Sequence, residues 1–373
     1  MKKEYDYLIV GAGLFGATFA YMARQRGKRC LVIDKRPHLG GNVYCEDVDG
    51  ITVHKYGPHI FHTNDENVWK FVSKFVHFNQ FTLNPIAIYD GRLYNLPFNM
   101  YTFYQMWGVT KQEDAVAIIK RQREAANIQS PHNLEEQAIS LVGHDVYETL
   151  IKGYTEKQWG RPCRELPADI IKRLPVRLSF NNNYFNDRFQ GIPEGGYNVL
   201  IDGLLKGTEC HTNCNFIDNR SSLEGIADRI IYTGPIDEFF DYRLGRLEYR
   251  SLRFEHEDLP TANFQGNAIA NYTNADVPYT RVVEHKWFDI HNADAVNASH
   301  TVITREYPKD FIAGEEPYYP INTVRNTRLY QEYLFLAREA VANVTFAGRL
   351  GEYLYLDMDK TITSAWNLFN KSK

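Results

Sequence analysis

The chain lacks a membrane span. None of its apolar runs approaches the roughly 18 residues that crossing a bilayer takes. It is poor in cysteine: Cys30, Cys45, Cys163, Cys210 and Cys214 are all it has in 373 residues. Their odd number and wide scatter exclude a disulfide framework and suit a reducing cytoplasm. A basic excess is missing too. The formal net charge is −4, which argues against a nucleic-acid surface. No internal repeat and no low-complexity segment occurs. A strand begins by Tyr5, which leaves no room for a signal peptide. Cys210-His211 and Cys214 have no second ligand cluster, so no metal is expected. No HExxH, P-loop, DxD pair or Ser-His-Asp order stands out. Without a protein nucleophile, a cofactor must do the hard chemistry while the protein positions and neutralises.

What is present begins at once. Tyr5–Val10 reads as a strand, and Gly11, Gly13 and Gly16 follow in a GxGxxG turn. A helix is predicted from Leu14 to about Arg26, ending at Gly27, then a second strand from Arg29 to Ile33. Gly11 permits the tight turn, Gly13 a close approach to a pyrophosphate, and Gly16 close helix–strand packing. The helix N-terminus, at Leu14 and Phe15, offers free N–H groups to phosphate. Asp34 closes the second strand, where an acid accepts from a ribose hydroxyl. That acid favours FAD or NAD over NADP, whose 2′-phosphate it would repel. Lys35 through Gly40, Gly41 and Asn42 resembles the extended phosphate loop of glutathione-reductase and amine-oxidase flavoproteins, which tilts the choice to FAD.

Further along, Thr63 with Glu66 and Thr110 with Glu113 are predicted capping boxes. Ile86–Tyr89 and Arg92–Leu96 around Asp90-Gly91 predict a hairpin with a type I′ turn. From Met100 to about Lys172 the pattern is helical, with one helix over Gly143–Gln158. Pro175–Gln190 reads as β-like and aromatic. Gly195-Gly196 introduces a helix over Tyr197–Leu205, Ala227–Asp237 a buried strand, and residues 246–307 an antiparallel sheet. Asn343–Arg349 is a strand into a turn, and Asp357–Phe369 a closing helix. The expected fold class is α/β: a Rossmann-like FAD-binding domain (1–78, 193–245, 318–373). It is interrupted by a helical insertion (97–172) and an antiparallel β-sheet domain (79–96, 173–192, 246–317). The active site belongs where the three meet.

Arg173, Arg281 and Arg349 are the candidate diphosphate ligands, since a guanidinium is planar and permanently charged. Arg349 follows a buried strand at a glycine-flanked turn. His59 and His62 precede a helix start. Alternation over Tyr353, Tyr355 and Asp357 would put all three on one face of an extended stretch.

These segments, with Gly57–Thr63, Gly153–Trp159, Tyr184–Pro193, Tyr279–Arg281, Pro317–Asn322 and Gly348–Met358, closely resemble the bacterial UDP-galactopyranose mutase family over essentially the whole chain. The resemblance implies a flavin-dependent isomerase, usually a homodimer, interconverting UDP-galactopyranose and UDP-galactofuranose without net redox change. Reduced FAD is the active form, its N5 attacking the anomeric carbon, with NADH or NADPH as the external reductant. By motif, Arg173 corresponds to a diphosphate arginine on a mobile loop and Arg281 to a fixed one. Tyr184, Tyr319 and Tyr355 correspond to phosphate-contacting tyrosines. Tyr154, Thr155, Trp159 and Phe185 correspond to a uridine pocket, and Asn84 and Asn271 to polar groups near nucleotide or sugar. His59, with Ile60, and His62 would lie beside the flavin. Arg349, Leu356, Asp357 and Met358 would lie where the chain passes the flavin and its phosphate. Asp34 stands where many relatives have Glu. A flavin amine oxidase shares the N-terminal domain and is the alternative reading. It has no need of paired diphosphate arginines.

Overall fold

A computed structural model describes residues 3–171 and 176–371. Its first layer is a five-stranded parallel sheet. The strand order is Val344–Phe346, Ala227–Tyr232, Tyr5–Val10, Cys30–Ile33, Glu209–His211. Its central strands are apolar runs buried from both faces, as parallel sheets require. Helices Leu14–Gln25, Tyr197–Leu205 and Met358–Lys371 pack on one face, with Leu14, Phe15, Leu200, Ile201 and Ile362 in the shared core. Helix Val324–Ala340 packs with the other, around Leu8, Ile230 and Tyr333.

The second layer is a seven-stranded sheet. The order is Tyr319–Pro320, Tyr249–Leu259, Thr301–Asp310, Arg281–Glu284, Ile269–Tyr272, Ile86–Tyr89, Arg92–Asn95. It is antiparallel except where Ile269–Tyr272 runs parallel to Ile86–Tyr89. The strand Tyr319–Pro320, allotted from sequence to the dinucleotide domain, is an edge of this sheet. The hairpin turn has the expected hand, with Asp90 at φ 49 and Gly91 at φ 70.

The helical insertion comprises Met100–Trp107, Gln112–Ala126 and Leu134–Val142, then a continuous run from His144 to Trp159. Residues Tyr147–Lys152 of that run form a π-turn. Four local expectations are corrected. Asp65, not Thr63, caps helix Glu66–Val72, accepting from the Asn67 and Val68 N–H groups, while Thr63 donates to Asp359 at 3.0 Å. Lys111, with no side-chain bond, stands at the start of Gln112–Ala126 where Thr110 was expected to cap. Of the stretch read as β-like after residue 175, only Phe189–Gly191 is a strand, paired with Phe61–Thr63. Tyr353 does not share a face with Tyr355. At φ 50 it turns into the core, its hydroxyl donating to the Glu248 and Ile321 carbonyls at 2.6 and 3.0 Å.

Candidate active site

A cleft of about 520 Å³ opens where the carboxyl ends of the parallel strands meet the antiparallel sheet. Its floor is two glycine loops pressed together. The Gly40 N–H donates to the Ala12 carbonyl at 3.0 Å, and a Cβ on Gly41 would come within 2.9 Å of the Gly13 Cα. Gly11 has φ +106, and a Cβ there would meet the Thr233 hydroxyl at 2.0 Å. Thr233 in turn donates to the Val10 carbonyl at 2.7 Å. Asp34 holds the turn closed: its carboxylate accepts from the Ala12 N–H at 2.8 Å and the Arg36 N–H at 2.9 Å.

Gly16 does not line the cleft. A Cβ on it would stand 2.0 Å from the Gly11 carbonyl oxygen, so its absent side chain is what lets the helix close on the strand. Gly13 is different: the nearest described atom to its Cβ position lies 3.8 Å away. The space above it belongs to the cleft. Helix Leu14–Gln25 starts there with no side-chain cap, leaving its first-turn N–H groups toward the opening. Helix Met358–Lys371 starts at the same cleft, with Leu356, Asp357 and Met358 in its wall.

The facing wall is made of side chains. Arg281 opens its strand, and its Nε donates to Glu306 at 2.6 Å. Glu306 is 1% exposed and, among the described residues, its other oxygen has no partner. Gly57 leaves room for that oxygen; a Cβ there would lie 3.2 Å from it. Burial opposes the charge of Arg281, but Glu306 and neighbouring tyrosines hold its pKa above the ordinary value. Burial also raises the Glu306 carboxyl, and Arg281 offsets only part of that. Tyr154, Tyr184, Tyr319 and Asn271 stand around this pair in the same cleft. Among the described residues the hydroxyls of Tyr154, Tyr184 and Tyr319 make no hydrogen bond, and the buried Asn271 Oδ1 has no partner. Burial pushes the Tyr154 hydroxyl up to about 12 and raises Tyr319 too, so both remain donors near neutrality. Arg349 donates from Nη2 to the Tyr318 carbonyl at 2.8 Å and lies 5.0 Å from the centroid of the Tyr355 ring.

Tyr154 reaches the cleft because its helix docks tightly. A Cβ on Gly153 would lie 2.2 Å from the Thr273 carbonyl oxygen, and Lys157 donates to the Tyr272 and Tyr279 carbonyls at 2.8 and 2.9 Å. On that same helix Thr155 and Trp159 are not among the residues that line the cleft. Thr155 is buried, and Trp159 packs against the helical core, since only one face of a helix meets a given wall. Asn84 is also off the wall: its side chain donates to the Thr82 carbonyl at 3.0 Å, while Leu83 and Pro85 line the cleft. Arg173 lies outside the described residues.

His59 and His62 both line the cleft but differ in setting. His62 stacks on Phe185 at 3.7 Å and bonds Asp187 at 2.6 Å. The His59 Nδ1 bonds the Gly57 carbonyl at 2.8 Å, and its backbone N–H donates to His54 Nδ1 at 3.0 Å. Burial pushes His59 down to about 4 and His54 to about 3. A neutral His59 bonded this way carries its proton on Nδ1 and offers Nε2 as an acceptor. Arg36, Tyr56 and Glu316 line the far end and were missed, because no sequence motif ties Glu316 to the loop after Asp34.

Fold and site together define a dinucleotide-binding α/β protein with a second wall of one arginine and several tyrosines. A family model for UDP-galactopyranose mutase matches residues 149–355, and one for an NAD(P)-binding Rossmann-like domain matches residues 9–75. A probable UDP-galactopyranose mutase of Klebsiella pneumoniae is 39% identical over 96% of this chain and 92% of its own. A dTDP-fucopyranose mutase of Escherichia coli is 38% identical over 96% of both. The crystal structure of a reduced UDP-galactopyranose mutase superposes with TM-score 0.76 at 14% identity, covering 99% of this chain and 95% of that one. A putrescine oxidase gives 0.57 at 12%, covering 99% and 98%, a likeness of fold alone. The chain belongs to the UDP-galactopyranose mutase family and is an enzyme of the isomerase class.

Proposed function

We propose that this enzyme interconverts UDP-galactopyranose and UDP-galactofuranose on a non-covalently held, reduced FAD, reduced by NADH or NADPH, as a cytoplasmic homodimer. The observation that carries the substrate half is Arg281. It is anchored through Nε on a buried Glu306, so its terminal amino groups are left for a ligand, beside three tyrosine hydroxyls that make no hydrogen bond among the described residues. A diphosphate is the ligand chemistry such a set of donors matches.

The cofactor half fits a flavin dinucleotide. Space above Gly13, two helix N-termini and the unpartnered buried Nη1 of Arg36 and Nε of Arg349 all suit a pyrophosphate-bearing molecule. Bound and reduced, FAD supplies an electron-rich N5 able to attack the anomeric carbon. The chain's part is to hold the diphosphate as it departs and keep it near for return. Arg281 and the hydroxyls of Tyr154, Tyr184 and Tyr319 meet the developing negative charge, and being fixed in advance they need no reorganisation. Holding the leaving group in place is an orientation effect. Phe185, stacked on His62, offers an aromatic face on the nucleotide side. His59 presents an acceptor and withholds a proton at neutral pH.

Substrate and product are isomers at one oxidation level. Anaerobic, dithionite-reduced protein should therefore make many products per reducing equivalent. A ratio held at one would overturn the isomerase reading in favour of an oxidoreductase. The 38% identity to a dTDP-fucopyranose mutase makes that nucleotide sugar the necessary second substrate in the assay. Faster turnover of it would move the substrate assignment and leave the mechanism in place.

A further inference from the structure

Residues 311–318 join the long strand Thr301–Asp310 to the edge strand Tyr319–Pro320 of the same sheet, and on the way Glu316 reaches the loop after Asp34 in the dinucleotide layer. On the sheet side, Ser251 donates to the Glu316 carbonyl at 2.7 Å, and the Tyr318 N–H donates to the Arg250 carbonyl at 3.0 Å. On the dinucleotide side, one carboxylate takes two cations. Glu316 Oε1 meets Lys35 Nζ at 2.9 Å and Oε2 meets Arg36 Nη2 at 2.9 Å. Those cations directly follow Asp34, the acid ending the second parallel strand.

Arg36 is built into this end. Its Nη2 also donates to Asn42 at 3.0 Å, and its guanidinium lies 4.2 Å from the centroid of the Tyr56 ring. Its side chain is 12% exposed and Nη1 is buried with no partner among the described residues, within the cleft wall. Burial disfavours the Glu316 carboxylate, yet Arg36 and Lys35 outweigh it and hold its pKa below the ordinary value. Of these groups only the Arg36 Nη1 entered the reading above, as a cofactor contact; Glu316, Lys35, Asn42 and Tyr56 have no part in it.

We propose that Glu316 is a cofactor-retaining residue: it latches the 311–318 segment onto Lys35 and Arg36 and thereby sets how slowly FAD leaves the cleft. This rests on the FAD reading above. Without Glu316, two adjacent cations face each other unneutralised, and this bond between segment and dinucleotide loop is gone. Arg36 then loses its one anionic partner among the described residues and is held only by Asn42 and the Tyr56 ring, so Nη1 is fixed less firmly toward the cofactor.

The test is FAD release from the holoenzyme, followed by the rise in flavin fluorescence on dilution into a competing flavin-binding apoprotein. Glu316→Gln should release FAD about 10–100-fold faster, the scale of a charge-assisted bond lost from a half-buried site. Lys35→Met, which breaks the more exposed arm, should do so by about threefold. Thermal melting of the apoproteins should stay near the parent, because the latch acts on retention. In the double variant the two effects should fall short of additive, since both break one cluster. Unchanged release from Glu316→Gln overturns the proposal, as does faster release that merely tracks a lower apoprotein melting temperature. A parent protein that takes up no FAD would defeat the FAD reading itself, and the two failures are distinguishable.

Discussion

The two walls of the cleft are made of different material. The wall under the parallel sheet is mostly backbone: Gly11, Gly13, Gly40 and Gly41, with helix starts behind them. The wall under the second sheet is side chain: Arg281 on Glu306, with Tyr154, Tyr184 and Tyr319 around it. In a backbone wall an added atom displaces either the chain or the ligand, and the wall carries little chemical identity. A side-chain wall can be trimmed atom by atom, and its identity is the chemistry. Changes in the first should therefore be all-or-none, and changes in the second graded.

The sharpest break is between Gly16, which lies behind the first wall, and Gly13, which lies in it. Gly16→Ala puts a Cβ 2.0 Å from a backbone oxygen and should abolish folding, read as lost circular dichroism or insoluble protein. Gly13→Val meets no described atom closer than 3.8 Å from its Cβ, and Gly13 already has φ −72, which any residue adopts. It should give folded, colourless protein. A yellow Gly13→Val at full flavin content would mean the pyrophosphate lies elsewhere.

Next in size is Arg281→Ala. One charge-assisted bond is worth about 1.5–3 kcal/mol, so the rate should fall at least about 10–100-fold while the flavin spectrum stays unchanged. The variant also strands Glu306 in a buried site, so it should melt lower. Adding Glu306→Gln should recover the melting temperature and leave the rate low. Recovery of both would reduce Arg281 to a structural ion pair.

Acid acts on two buried imidazoles, His59 in the cleft and His54 behind it. His54 and His59 ordinarily titrate at 6.5, but burial holds them near 3 and 4 in the fold. The unfolded chain binds these protons first. Stability is whole above about pH 6.5 and is drawn down as pH falls toward about 4. A melting temperature flat across that range would contradict the burial of these imidazoles. The smallest effect is expected from Tyr184→Phe, since Tyr184 is 46% exposed. Removing one hydroxyl donor there should slow turnover about threefold.

The same contrast governs what could be read from sequence. The backbone wall is written locally: strand, glycine spacing and acid lie within Tyr5–Asp34, and the observed elements follow them closely. The helix Tyr197–Leu205 after Gly195-Gly196 and the Asp90-Gly91 turn were legible for the same reason. The side-chain wall is assembled from distant segments. Arg281 and its tyrosines were reached through family resemblance, while Glu306, 25 positions from Arg281, carries no local signal. Competition among neighbours explains the cap errors: Asp65 sits nearer the first helical N–H groups than Thr63 does. Tyr353 was misread because alternation assumes an extended chain, and its positive φ breaks that assumption.

The π-turn over Tyr147–Lys152 has a consequence for how this enzyme tolerates deletion. A π-turn is in effect one residue too many in a helix, and each residue of an α-helix turns the chain by about 100°. Everything after it is thereby set out of phase with what precedes it. Tyr154 faces the cleft in that shifted phase, two residues past the turn. Removing one residue from 147–152 would let the helix relax to regular pitch and would swing Tyr154 off the wall. Gly153 would swing with it, bringing a side chain against the Thr273 carbonyl. A substitution scan of this stretch should look permissive at half-buried positions such as Thr149, while a single-codon deletion should be inactivating. The helix here works as a phase setting as much as a support.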